Sequence, residues 1–343
     1  MSRADTTRAL AQKLARELSL EAALQDRAFL VTGATGLIGG ALVSVLCALS
    51  GMYPGLNLRI IAHGRSKDRL EQLFPDMPGL EFIIGDITDL AASDQHFDYL
   101  VHAAAPTSSK FYVERPVETI ESIALGTHAV LESARMSKAT STVVLSSMEV
   151  YGGSLSEEPL TEDRQCYLDP RSLRSSYPQA KRLAETLCVA FAHEYNVPVK
   201  IVRLGQVIGH ELLPDDNRLI AHLIRSAQAG QAIELATDGK SKQTYLGLDD
   251  TLSAIFYLLL KGEQGHAYNA ANEETYCSVK DLAELAIDLA PEKTPELQLR
   301  VSQQQDTTLY PPTRFLRLDS SALRALGWAP TQDLRHMLAA LMA

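Results

Sequence analysis

Tyr177 and Lys181 stand four residues apart in the stretch RSSYPQAKR, with Pro178 directly after the tyrosine. Proline is tolerated in the first turn of a helix, so Pro178 predicts a helix start here, with Tyr177 at its mouth and Lys181 one turn further on. An ammonium close to a phenol, at the positive end of a helix dipole, favours phenolate over phenol. Placed so, the pair is a candidate general base. A packed ring beside a solvated amine is the alternative at the same spacing. Leu183, Ala184, Leu187, Cys188, Phe191, Ala192 and Tyr195 follow as an apolar stripe at helical spacing, which would press one face of this helix against a core.

A second signature lies near the N-terminus. In VTGATGLIGG, Gly33, Gly36 and Gly39 are spaced three apart, after the apolar run AFLVT and before a helical pattern of Leu37, Ile38, Ala41, Leu42, Val45 and Leu46. Glycines permit a tight turn and let backbone N–H groups approach a pyrophosphate, which the helix N-terminus stabilises. Three glycines also make an ordinary turn; the strand, turn and helix around them point to a dinucleotide. Where an acid would hold the ribose hydroxyls of NAD, IIAHGRSKDR supplies His63 and Arg65. That leans towards a 2′-phosphate and NADP, with a solvated surface arginine as the alternative. Asp86, in IIGDITD, is a candidate for the adenine.

These residues need a frame. The runs AFLVT, LRIIA, LEFII, DYLVHAA, TVVLSS and PVKIVRL read as strands separated by helical patterns, an alternation that implies a parallel sheet with helices on both faces. From about Leu204 the rhythm loosens around GHELLPDDN and ATDGKSKQT, with a helix near DTLSAIFYLLL and another after GWAPTQ. The expected division is an N-terminal amphipathic helix over 1–27, a dinucleotide-binding domain over 28–204 and a smaller, partly interleaved substrate lobe over 205–343.

The chain of 343 residues is long enough for a large core. Its 32 basic and 42 acidic residues give a formal charge of −10 without a basic cluster, which speaks against nucleic acid. Cys47, Cys166, Cys188 and Cys277 are widely spaced with no C-x-x-C pair, so neither a zinc site nor a disulfide framework is expected and a reducing cytoplasm fits. No signal-peptide core or membrane span is expected, because RALAQKLARELSLEAALQ mixes charges around Leu10, Leu14 and Leu18.

The glycine turn, VHAAAP after the fourth strand, LSSMEVYGG after the fifth, and Tyr177 with Lys181 occur in this order. In them the chain resembles the extended short-chain dehydrogenase/reductase family over nearly its whole length. EVYGG, RSSYPQAKRLAETL and AYNAANEE bring it nearest the nucleotide-sugar epimerases, dehydratases and decarboxylases, and RSSYPQAKR is most similar to UDP-glucuronate decarboxylases. The resemblance implies an α/β Rossmann-type doubly wound sheet, with NAD or NADP held by Gly33, Thr35, Gly36, Leu37, Ile38, Gly39, Arg65, Asp86, Ile87, Ala103, Ala104 and Lys181. It implies no metal. Ser147 is then the hydroxyl that polarises the sugar oxygen, Tyr177 the base and Lys181 the residue on the nicotinamide ribose. Tyr177 would take the C4 hydroxyl proton of a nucleoside-diphosphate sugar as C4 gives up hydride, leaving a 4-keto sugar. Relatives commonly form homodimers through two helices, here those around Val117 to Met136 and Tyr177 to Tyr195.

Several positions shape the outcome. Glu149, two residues past Ser147, points to the same side by the strand's period of two and is a candidate to abstract the C5 proton, or else a structural acid. Met148 stands where 4,6-dehydratases carry an acid, which disfavours dehydration. Gln243, with Lys240 and Lys242 nearby, stands where the decarboxylases carry an arginine; Arg174, where they also carry one, is a candidate for a carboxylate or phosphate, with a surface salt-bridge partner as the alternative. Gln206 and His210 replace an asparagine and a proline at the entry to the substrate lobe; Gln206 is a candidate substrate contact and His210 is given no role. Decarboxylation or epimerisation is the leading expectation. The competing ones are an NADPH-dependent keto-sugar reductase and a non-catalytic dinucleotide sensor.

Overall fold

The computed structural model describes residues 3–75, 77, 79–92, 95–212, 216–290, 296–299 and 313–342. Within them the strands are β1 (Ala28–Thr32), β2 (Arg59–Gly64), β3 (Leu80–Ile84), β4 (Tyr99–His102), β5 (Ser141–Ser147), β6 (Val199–Leu204), β7 (Gln206–Ile208), β8 (Ile233–Leu235), β9 (Lys242–Gly247), β10 (Ala267–Ala270), β11 (Asn272–Ser278), β12 (Leu297–Leu299) and β13 (Phe315–Leu316). The six apolar runs of the sequence are β1 to β6. They lie with β10 in one seven-stranded sheet of order β10-β6-β5-β4-β1-β2-β3, every neighbouring pair parallel. All five residues of β1 are buried, as expected of a strand covered on both faces. This is the doubly wound Rossmann-type arrangement. The chain runs outward from β1 to β3, then crosses back to β4, so the order reverses between β1 and β4, and the crevice beyond their C-terminal ends is where such sheets bind ligands.

The helices that matter below are α1 (Arg3–Leu18), α2 (Leu20–Leu24), α3 (Leu37–Met52), α4 (Lys67–Leu73), α5 (Ser109–Glu114), α6 (Pro116–Met136), α7 (Ser176–Tyr195), α8 (Leu219–Ala229) and α9 (Leu248–Lys261). Leu10, Leu14 and Leu18 of α1 are buried in one cluster with Leu42 and Leu46 of α3 and Leu252 of α9. α6 and α7 cover the other face, where Val130, Leu131, Cys188 and Phe191 pack on Leu30 and Val144.

After β6 the chain builds a second sheet, β11-β9-β13 with β7 on β9, and the pair β8–β12. β10 returns to the first sheet beside β6, so the late chain is interleaved with the early one. Residues 213–215 of the loop in GHELLPDDN lie outside the described residues. None of the helices among the described residues is long and apolar enough to cross a membrane.

Candidate active site

The glycine turn follows β1 into the β1–β4 crevice. Gly33 has φ +67°, and a Cβ there would sit 2.7 Å from the backbone of Ala103 and Ala104. At Gly39 a Cβ would come within 2.3 Å of the Gly33 carbonyl oxygen, so both positions exclude any side chain. Thr32 Oγ1 and His102 Nδ1, 2.8 Å apart, tie the ends of the two strands together, and burial pulls His102 down to about 3, so its ring is neutral. Gly36 caps α3 with extended backbone, and the N–H groups of Leu37, Ile38 and Gly39 open that helix, where no intrahelical carbonyl can reach them. A turn stripped of side chains below such a helix end fits a pyrophosphate.

The adenosine side is less uniform. Thr35 packs against Gly64 at the end of β2. Asp86 stays below its usual range because the Thr88 N–H and hydroxyl donate to it at 3.0 and 2.7 Å, and the Arg65 charge adds to this. Ile87 is buried and packs on Gly126 of α6.

Beyond the end of β5, α7 begins at Ser176, which places Tyr177 and Pro178 in its first turn, as the proline predicts. Tyr177 and Lys181 are both buried. Lys181 Nζ donates to the Leu145 carbonyl at 2.7 Å and stands 6.0 Å from the centre of the Tyr177 ring. The expected drop in the tyrosine's pKa does not occur in the protein alone. Burial pushes Tyr177 up to about 12 and the Glu149 charge adds to this, outweighing the nearby Ser147 hydroxyl and the Arg174 cation, while burial draws Lys181 down to about 8. The Tyr177 ring stacks on Tyr112 of α5, centroids 4.3 Å apart and planes 9° from parallel.

Glu149 needs a correction. β5 ends at Ser147, and Met148–Tyr151 is a single 3₁₀ turn opened by the Glu149 N–H donating to Ser147 Oγ at 3.2 Å, so the strand period does not carry over to Glu149. Its carboxylate instead accepts from Arg174 Nη2 at 2.7 Å and Arg314 Nη2 at 3.0 Å, both on Oε1. Burial alone would raise Glu149, but the two guanidiniums override it and hold the group at about 2, a weak base as it stands. Met148 is buried in a small apolar cluster. Gln243 is turned elsewhere: it donates to the Tyr245 hydroxyl at 3.3 Å. Lys240 pairs with Asp238 at 3.1 Å and Lys242 with Glu157 at 3.0 Å, and His210 faces Asp249 at 2.9 Å. Gln206 opens β7, half-buried.

The family model for the NAD dependent epimerase/dehydratase family matches residues 29–271. The chain belongs to that family. Over 312 residues it is 30% identical to UDP-glucuronic acid decarboxylase 6 of Arabidopsis thaliana, covering 90% of this chain and 86% of that one. It is 27% identical over 310 residues to the human dTDP-D-glucose 4,6-dehydratase, covering 88% and 85%. Its fold is that of the UDP-glucuronic acid 4-epimerase of Bacillus cereus, solved with UDP-glucuronic acid and NAD, at a TM-score of 0.76 and 22% identity over 92% of this chain and 98% of that one. As a member of the NAD dependent epimerase/dehydratase family the protein is an NAD-dependent enzyme, and the glycine crevice has the shape that cofactor needs. The NADP lean read from Arg65 gives way to the family's cofactor.

Two residues escaped the sequence reading. Arg314 is 165 positions from Glu149 and reaches it because β13 pairs with β9. Tyr112, which stacks on Tyr177, lies in the short helix α5 with no motif around it.

Proposed function

We propose that this enzyme oxidises C4 of a nucleoside-diphosphate sugar to a 4-keto intermediate and then decarboxylates or epimerises it. What carries the reading is the meeting of Ser147, Tyr177 and Lys181 at the end of β5, beside the crevice that holds the glycine turn. NAD held in that crevice would supply a reversible hydride acceptor for C4.

Tyr177 accepts the C4 hydroxyl proton. Its pKa stays near 12 with the Ser147 hydroxyl already hydrogen-bonded to it, so it needs further help to ionise. Lys181 holds the nicotinamide ribose, and the charge it carries there also favours phenolate. Gly33, Gly36 and Gly39, with the opening N–H groups of α3, hold the pyrophosphate, while Thr35, Arg65, Asp86, Ile87, Ala103 and Ala104 line the rest of the cofactor's path. A 4-ketone acidifies the neighbouring C–H bond and lets a carboxyl group on C5 leave as carbon dioxide. Met148 offers no proton to a leaving C6 hydroxyl, which supports these outcomes over dehydration. The division into a 28–204 cofactor domain and a 205–343 substrate lobe belongs to the same reading, with Arg174 facing the sugar nucleotide and Gln206 at the lobe's entry.

Exposed apolar residues along α6 and α7, Val117, Leu125, Leu183 and Val189 among them, support a homodimer through these helices. All four cysteines are free, which supports a reducing, cytoplasmic setting.

The test is the mass of UDP-glucuronate after incubation with the enzyme and NAD in deuterated water. A product lighter by carbon dioxide and carrying solvent deuterium, formed about 10²- to 10⁴-fold more slowly by Tyr177→Phe, is expected. Unchanged mass without deuterium, together with no C4 epimer by NMR, for UDP-glucuronate, UDP-glucose and dTDP-glucose alike overturns the reading.

A further inference from the structure

The Glu149 cluster has more cation than anion. Among the described residues one carboxylate meets two guanidiniums, which leaves one positive charge in a site where the side chains of Glu149, Arg174 and Arg314 are only 14%, 9% and 16% exposed. It also has bonding capacity to spare: Glu149 Oε2 and Arg174 Nε and Nη1 are buried without a hydrogen-bond partner among the described residues. A buried guanidinium left with idle N–H groups is costly unless a ligand takes them up.

The cluster also lies beside the reacting centre. The charges of Glu149 and Arg174 both act on the Tyr177 phenol, and the Arg174 guanidinium sits 5.2 Å from the centre of the Tyr112 ring that stacks on Tyr177. A group within reach of both Tyr177 and these arginines is close to C4 of the sugar. The diphosphate hangs from C1, across the ring; C6 is two bonds from C4.

We infer that Arg314 and Arg174 together form the receptor for a C6 carboxylate, so that the enzyme selects a nucleoside-diphosphate uronate over the neutral hexose. Arg314 does from β13's leading edge what Gln243, on the neighbouring strand and bonded to Tyr245, does not. A uronate's single negative charge brings the cluster to neutrality and takes up the idle N–H groups of Arg174; a hydroxymethyl group does neither. The inference rests on the nucleotide-sugar reading above.

Titration calorimetry on the NAD-loaded enzyme separates the two. Wild type should bind UDP-glucuronate at least about tenfold more tightly than UDP-glucose. Arg314→Gln should weaken UDP-glucuronate by about 10- to 100-fold and leave UDP and UDP-glucose within about threefold. Arg314→Lys, which keeps the charge and loses the fork of donors, should fall between them, and circular dichroism checks that each variant is folded. Equal weakening of all three ligands would make Arg314 a phosphate or scaffold contact and overturn the inference. Equal wild-type affinity for the two sugars would overturn it too, while leaving the nucleotide-sugar reading in place; failure to bind UDP or either sugar removes that reading as well.

Discussion

Glu149→Gln isolates the charge at the centre of the site, because it removes one negative charge and almost no volume. In the native protein Glu149 sits at about 2 against an ordinary 4.5, held there by Arg314 and Arg174 against the opposing effect of burial. That drop corresponds to about 3 kcal/mol of stability. The sign follows from proton binding: a carboxylate depressed in the folded state stabilises it fully above pH 4.5 and loses the contribution as pH falls towards 2. The variant leaves two buried guanidiniums without their counter-charge, a change that typically costs about 3–5 kcal/mol. Urea unfolding should therefore show Glu149→Gln less stable by about 3 kcal/mol at neutral pH, with the gap to wild type closing below about pH 4.5. A cycle with Arg314→Gln should give a coupling of about 1.5–3 kcal/mol between the two side chains. A variant as stable as wild type, or a gap that ignores pH, would refute the account of Glu149 as a clamped anion.

Lys181 carries the opposite consequence. Burial lowers it from 10.5 to about 8, so the native state binds fewer protons than the unfolded chain between those values and stability rises with pH across that window. Lys181→Met should raise cofactor-free stability at neutral pH by up to about 3 kcal/mol, read by urea unfolding, while abolishing turnover; a destabilised variant would show that the bond to the Leu145 carbonyl outweighs desolvation. For the dimer, Leu125→Glu and Leu183→Glu should each convert a dimeric wild type to monomer in light scattering behind a sizing column; a monomeric wild type or dimeric variants would remove α6 and α7 as the interface.

What the sequence made legible is what local rules govern. The glycine turn can be read because Gly33 and Gly39 exclude a side chain, and the Tyr177–Lys181 spacing because one helix carries both residues. The six strands announce themselves because a parallel sheet buried on both faces demands continuous apolar runs. The failures are tertiary. Glu149 leaves the strand period because Ser147 caps a 3₁₀ turn at that point, and the direction of the Tyr177 shift is set by burial and by Glu149, not by its neighbour along the helix. Arg314 had no local signal, since only the pairing of β13 with β9 brings it to the site.

Two buried ion clusters flank the end of β5, and the contrast between them bears on function. Ser146 faces Glu185, which also accepts a bidentate pair from Arg203; Arg203 in turn reaches the Tyr151 hydroxyl at 3.0 Å and the Glu162 carbonyl at 2.8 Å. There, among the described residues, the hydrogen-bonded ion pair is one anion with one guanidinium. Ser147, on the opposite face by the strand's alternation, borders the Glu149 cluster, where one anion meets two guanidiniums and buried donors stand idle. Buried charges are poor stabilisers even when fully paired, so an unbalanced set is a net cost in the protein alone. The balanced cluster is sufficiently explained as scaffold, tying β5, β6 and α7 together. The unbalanced one is explained by what it awaits, and local rules broken beside a reacting tyrosine are where a binding site is to be sought.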